Sequence, residues 1–195
     1  ISLSNDDLIA LCAAFGTTSA SPMLHIKGHT PESELPSTQD AICTTIMPDD
    51  LLNLWQNFNT GNNKIDLVAI GSPHASTAEC IKFLKLLLEK NKTVIVPTIL
   101  TVGRETLGEL RDQGNLDQLS KLGVQVVPDL CWCSITEPVF PSKTQSLITN
   151  SGKYAHYGEA LTGRNIRFGS LSDCAMAALS GFVNDELPNW LNFNT

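Results

Sequence analysis

A mostly parallel α/β sheet with helices on both faces is the architecture this sequence predicts. Three observations carry that reading. Short continuous apolar runs recur along the chain as IDLVAI, TVIVPTIL, VQVV, SLIT and IRFG. Strands buried on both faces read this way, without the alternation of a half-exposed sheet. Helical patterns stand between the runs, which points to parallel strands with helical crossovers. Small and polar residues gather directly after each run, where open parallel sheets bind their ligands.

The elements follow in order. Residues 4–15 (SNDDLIALCAAF) predict a helix, with Ser4 or Asn5 as N-cap, acids in the first turn and Gly16 as its stop. Residues 17–40 hold four Ser, four Thr, three Pro and two His. They predict a loop with one strand at 23–27 and a turn at Gly28-His29-Thr30-Pro31. Residues 48–58 predict a second helix, opened by Pro48 and two Asp. A strand at 65–70 ends in Gly71-Ser72-Pro73-His74-Ala75-Ser76, and a helix covers 77–89. A strand at 93–100 precedes a helix over 103–121, interrupted at Gly114-Asn115. Strands at 124–127, 146–149 and 166–169 lead into DLCWC, NSGK and SLSDC, the last opening a helix to about Leu179. The chain divides into a helical, loop-rich segment over 1–62 and a parallel α/β domain over 63–195. No internal repeat and no low-complexity tract adds to this alternation.

Composition narrows the function. The chain has 195 residues, 42% hydrophobic and 17% charged, with a net charge of −7. That length supports a real core in one domain or two small ones. An acidic chain without a basic run makes a poor phosphate-backbone binder, which argues against nucleic acid. The longest apolar stretch, residues 94–100, is broken by Pro97 and Thr98 and falls short of a membrane span. No charged n-region with an apolar h-region stands at the start, so a cytoplasmic location is expected. The first residue is Ile, and we read the chain as a fragment of something longer.

The six cysteines, at 12, 43, 80, 131, 133 and 174, form no small-secreted-domain pattern. Reduced thiols are the expectation, and an unusual cluster is first a metal or redox question. Cys12 and Cys80 fall in apolar helical patterns and are expected to be buried and inert. Cys131, Cys133 and Cys174 lie on strand-end loops. Their spacing lacks the paired C-x₂-C of a zinc ribbon. Three such thiolates suit an iron–sulfur cluster, and a set of unpaired thiols is the other reading.

Asn150-Ser151-Gly152-Lys153 sits at a strand-to-helix turn, where backbone N–H groups and a lysine suit an anion. It is no P-loop, and an ordinary helix cap beside a surface lysine is the plain alternative. Gly71-Ser72-Pro73-His74-Ala75-Ser76 sets a histidine between hydroxyls. The nucleophile-elbow pattern and an Asp partner are missing, which argues against a hydrolase. His25, His29 and His156 are lone histidines, expected at polar surface positions or satisfied in the core. Asn91-Lys92-Thr93 matches a glycosylation sequon that means nothing in a chain without a leader.

Several segments together resemble one family. Asp129-Leu130-Cys131-Trp132-Cys133-Ser134-Ile135-Thr136-Glu137-Pro138 is similar to the D-T-C-W-C-M-I-T-E-P segment of aconitase X proteins. The stretches Thr149–Tyr157, Gly163-Arg164 and Phe168–Cys174 resemble the same proteins, as do Gly71–Glu79 (G-x-P-H-x-S-x-x-E) and His25–Glu32 (H-I-x-G-x-T-P-E). The matches run in order from about residue 23 to Pro188-x-Trp190-Leu191. Leu130, usually Thr, and Ser134, often Met, depart from the pattern, and Ser72 is variable.

The resemblance implies an aconitase-like fold and a hydro-lyase that uses an iron–sulfur cluster on a small hydroxy acid. Its C-W-C-x-I-T-E-P and P-x-W-L forms look closer to the cis-3-hydroxy-L-proline dehydratases than to the mevalonate-5-phosphate dehydratases. A phosphate site also calls for basic residues, and Lys153, Arg164 and Arg167 are the only cations after Lys143. Carried over by motif, Cys131 and Cys174 would bind the cluster, with Cys133 a further candidate and one ligand outside this chain. His74 and Ser76 are the expected catalytic groups. Ser72, Asn150, Ser151, Gly152 and Lys153 are expected to bind substrate. The same resemblance implies partners: an amino-terminal half of the large component and a small swivelling domain. The competing expectation is an inactive assembly domain that works only with that other half.

Overall fold

A strand buried on both sides needs an apolar residue at every position, and Leu67-Val68-Ala69-Ile70 supplies four in a row. In the computed structural model, which describes residues 2–21, 23–35 and 41–192, these four are fully buried. Successive strand residues point to opposite faces. Accordingly Val68 and Ile70 enter one core with Cys80, Phe83 and Leu87, while Leu67 and Ala69 enter another with Trp132, Leu147 and Tyr154.

The described elements are α1 (Asn5–Thr18), α2 (Pro48–Phe58), β1 (Leu67–Ala75), α3 (Thr77–Glu89), β2 (Thr98–Val102), α4 (Arg104–Asp112), α5 (Asn115–Lys121), β3 (Val124–Pro128), β4 (Ser146–Thr149), α6 (Gly152–Thr162), β5 (Asn165–Phe168) and α7 (Leu171–Ser180), followed by a 3₁₀ turn at Asn189–Leu191. The five strands form one parallel sheet in the order β3-β2-β1-β4-β5. Helices α3, α4, α5 and α7 supply the core on one face. The other face is covered by α6 and the 130–140 segment. The expected sheet and its helix-covered faces are present, and the break expected at Gly114-Asn115 falls at residues 113–114.

Five expectations are corrected. Helix α1 runs through Gly16 to Thr18, because Thr17 bonds back to Ala13 O at 2.7 Å and the Ser19 N–H closes on Phe15 O. One glycine in a helix costs only about 1 kcal/mol, too little to stop it. No strand forms at 23–27. There the Ile26 carbonyl accepts the His29 and Thr30 N–H groups and the Ile26 N–H goes to Thr30 Oγ1, leaving that peptide nothing for a partner strand. Gly28 takes the turn with φ of 76°. Residues 22 and 36–40 of the expected loop, and 193–195 at the end of the expected domain, lie outside the described residues.

Strand β1 continues through Gly71-Ser72-Pro73-His74 to Ala75, with a register shift against β2 between Ile70 and Ala75. The expected loop is thus an irregular strand end. Strand β2 starts only at Thr98, since Val94 and Ile95 are tied to Leu122 and Ala178. Last, Cys12 is exposed, because no residue of α1 is buried, whereas Cys80 is enclosed as expected. Burial pushes the Cys80 thiol up to about 12.

Arg167 on β5 is 4% exposed and acts as a clamp. It donates to Gly61 O at 2.8 Å and Asn63 Oδ1 at 3.0 Å, and pairs with Asp185 at 2.7 Å. Two segments distant in sequence are thereby fixed on the β5 edge. Among the described residues no helix is long and apolar enough to cross a membrane.

Candidate active site at the carboxyl edge of the sheet

The strand order places a topological switch between β1 and β4. The chain leaving β1 enters α3 on one face, and the chain leaving β4 enters α6 on the other. A crevice opens where neighbouring strands send their connections apart. Here it is a cleft of about 330 Å³, lined among others by Asp6, Ser72, His74, Ser76, Glu79, Asn150 and Ser151.

Its floor is the distorted end of β1. Gly71 has φ of 99°, a conformation that glycine alone adopts without strain. A side chain there would also collide with Thr101, whose hydroxyl donates to Gly71 O at 2.5 Å. Ser72 follows, 3% exposed, and its Oγ has no hydrogen-bond partner in the structure. The Ser151 hydroxyl donates to the Ser72 carbonyl and accepts the Tyr154 N–H at 3.0 Å, so one residue caps α6 and joins the two strand ends.

The α3 side is built by Ser76, the N-cap. Its Oγ accepts the Glu79 N–H at 3.0 Å and donates to Asp6 Oδ2 of α1 at 3.0 Å. Asn150 Nδ2 crosses the crevice to Glu79 Oε1 at 2.5 Å. Burial raises the Glu79 carboxyl above its ordinary range, the Asn150 bond opposes this, and Asp6 raises it further. His74 stays exposed, with Nε2 3.0 Å from Leu130 O.

That His74 contact leads to the cysteine segment. Trp132 is 1% exposed, donates its indole N–H to Ile70 O at 2.9 Å and packs on Tyr154 with ring centroids 5.5 Å apart. The indole therefore pins Cys131 and Cys133, both half-buried, beside the end of β1. Burial raises the Cys133 thiol, Cys131 adds to this, and Lys153 opposes it. The Tyr154 phenol is fully buried with no partner for its OH.

The structure thus brings together Ser72, His74, Ser76, Asn150 and Ser151 around one crevice. Gly152 and Lys153 open α6 outside its lining, with Lys153 acting on the Cys133 side. Cys174 does not join Cys131 and Cys133. It is enclosed in the core on the α3 and α7 face, where burial pushes its thiol well above the ordinary value. Among the described residues no three His, Cys, Asp or Glu side chains converge to hold a metal. The Cys131–Cys133 pair, facing an orphaned buried phenol, fits a share of a cluster's soft donor set, which takes about four thiolates in full.

Two residues of the crevice carried no sequence assignment. Glu79 stands in the quoted G-x-P-H-x-S-x-x-E run, but its S-x-x-E spacing reads first as a helix cap. Asp6 gives no signal, since its partner Ser76 is 70 residues away.

Residues 65–180 match the family model described as the aconitase X third domain, and residues 1–56 match that of the aconitase X second domain. The chain is 39% identical, over 97% of its length, to cis-3-hydroxy-L-proline dehydratase of Hypocrea jecorina, and 35% identical over 96% to that of Pseudomonas aeruginosa. It is 29% identical over 75% of its length to the phosphomevalonate dehydratase large subunit of Thermococcus kodakarensis, covering 37% of that protein. The crystal structure of Thermococcus kodakaraensis aconitase X in its holo-form superposes with a TM-score of 0.80 at 26% identity, covering 90% of this chain and 44% of that one. The chain spans 33% of each hydroxyproline dehydratase it matches. With two family domains matched in order and the same fold in a solved member, this chain belongs to the aconitase X family.

Proposed function

We propose that this chain supplies one wall and floor of the active site of a hydro-lyase that dehydrates cis-3-hydroxy-L-proline. The observation that carries this is the joining of the two strand ends: the GSPHAS and NSGK segments meet through Ser151 and Ser72 at the switch-point crevice. Identity of 39% and 35% to two hydroxyproline dehydratases supports the substrate. Residues 1–62 and 63–195 are the two units we assign to it. Its six free cysteines suit a reducing compartment, and the cytoplasm is the location we assign.

Each group then has a role. The α6 N-terminus, with Ser151, Gly152 and Lys153, binds the substrate carboxylate through N–H donors and a cation. Ser72 and Asn150 orient the ring. His74 and Ser76 hold the departing hydroxyl or its water. Cys131 and Cys133 are this chain's ready share of the iron–sulfur ligands; Cys174, enclosed in the other core of this chain, joins them as a ligand only in the assembled enzyme, and a further ligand, the amino-terminal half and a small swivelling domain come from outside it. When bound, such a cluster supplies Lewis acidity toward the leaving oxygen.

The test is iron and acid-labile sulfide on the anaerobically purified complete enzyme, with Cys131→Ser and Cys174→Ser alongside. Loss of both, together with loss of hydroxyproline dehydration, supports the reading. Iron that survives both changes refutes the ligand assignment. A wild type without iron or activity leaves the assembly-domain reading in its place.

A further inference from the structure

Three helices here open with a hydroxyl followed three residues later by an acid. In a capping box that acid returns to the N-cap N–H. Helix α1 closes its box, with Asp7 Oδ2 2.9 Å from Ser4 N, and α7 does the same, with Asp173 Oδ2 2.8 Å from Ser170 N. Helix α3 does not. Ser76 caps the Glu79 N–H, but the Glu79 carboxylate turns away and takes the Asn150 amide across the crevice.

A cap that gives up its reciprocal bond loses local stability, and the diverted carboxyl gains no cation in exchange. Among the described residues Glu79 forms no ion pair, and Lys82 acts on it only at longer range. Beside it in the same cleft lies Ser72, whose buried Oγ lacks any partner. Asp6 and Asp7 add negative charge to this end, against Lys82 and the exposed His74. The crevice is therefore short of a positive, hydrogen-bond-donating group at one place.

Resting on the reading of this crevice as the substrate site, we infer that Glu79 and Ser72 Oγ receive the ring ammonium of an amino-acid substrate. An N–H₂⁺ group supplies both missing elements, one charge-assisted bond to the carboxylate and one to the serine oxygen. The carboxylate of the same zwitterion then points to the α6 N-terminus, so the two strand-end helices divide the recognition of one small molecule. A phosphorylated acid meets the same end of the cleft as an uncompensated repulsion.

The experiment uses the complete dehydratase and two probes, L-proline and (S)-tetrahydrofuran-2-carboxylate, which replaces the ring N–H₂⁺ by oxygen. Calorimetry on wild type should give a preference for L-proline of roughly tenfold to a hundredfold, the range of a hydrogen bond to a charged group. In Glu79→Gln that preference should fall to within about threefold while the oxygen analogue still binds. A wild type that binds the two probes equally overturns the inference without any variant. A Glu79→Gln protein that keeps the preference overturns it too. Failure of the underlying reading shows separately, as a wild type that binds L-proline selectively yet does not dehydrate cis-3-hydroxy-L-proline.

Discussion

Replacing Gly71 by alanine tests whether the floor of the crevice is as rigidly specified as its contacts suggest. At φ of 99° an L side chain carries a conformational cost of about 1–2 kcal/mol. The new methyl would overlap the Thr101 carbonyl oxygen and stand 2.7 Å from Thr101 Oγ1. Such overpacking costs about 1–3 kcal/mol. The overlap also pushes apart the 2.5 Å bond from Thr101 to Gly71 O, a further ~1 kcal/mol. Gly71→Ala is expected to lose about 3–6 kcal/mol in urea unfolding of the purified chain, followed by far-ultraviolet circular dichroism. Because the worst overlap is with backbone, adding Thr101→Ala should rescue little of it. Gly158→Ala is the contrast, since the side chain it meets is the flexible end of Ile166, which can be trimmed to valine. A Gly71→Ala loss below about 1 kcal/mol, or full rescue by Thr101→Ala, would refute the argument.

Two further outcomes are expected. Asp185 is held below the ordinary carboxylate value of 3.8 by Asn63 first and Arg167 second. Its contribution to stability is therefore complete above that value and is lost as pH falls through the lower folded one. Asp185→Asn should flatten this acid limb in a pH series of thermal melts, and an unchanged limb would count against the Arg167 clamp. Thiol titration of the cluster-free chain at pH 8 should run in three stages. Exposed Cys12 and Cys43 react first, half-buried Cys131 and Cys133 follow, and buried Cys80 and Cys174 wait for unfolding. Rapid reaction of Cys174 in the native chain would contradict its enclosure.

The sheet was legible because its strands are apolar at every position and need no tertiary knowledge to recognise. Helices α2 and α3 were equally plain, with Pro48 and Ser76 marking their starts. Reading failed where local rules met competing bonds. Gly16 has the look of a helix stop, yet two threonine hydroxyls and the Ser19 N–H carry α1 past it. The 23–26 stretch has strand chemistry, but one carbonyl satisfied twice over consumes it in a turn. At the site, residues adjacent in sequence to strand ends were found readily. The pairing of Glu79 with Asn150, across 71 residues, has no sequence signature, because a capping box and its diversion are written with the same letters. The cysteines show a related limit: spacing gives donor type, whereas the sheet decides on which side of it each sulfur lies.

Helix α1 has one more consequence. It walls the crevice, yet buries none of its side chains, and its hold on the rest includes Asp6 with Ser76 and the Tyr157 hydroxyl on Thr17 O at 3.2 Å. The opposite boundary is the end of the central strands, where Gly71, Ser72 and Thr149 are buried. Local opening free energies follow such differences in burial, so the amides of α1 belong to a separate, earlier-exchanging unit than those of β1 and β4. Access to the crevice is then decoupled from global unfolding. The helix, whose apolar hold is limited to half-buried side chains such as Leu8 and Phe15, can release while the floor keeps its shape, which makes a lightly buried element the one that sets how readily a ligand enters and leaves.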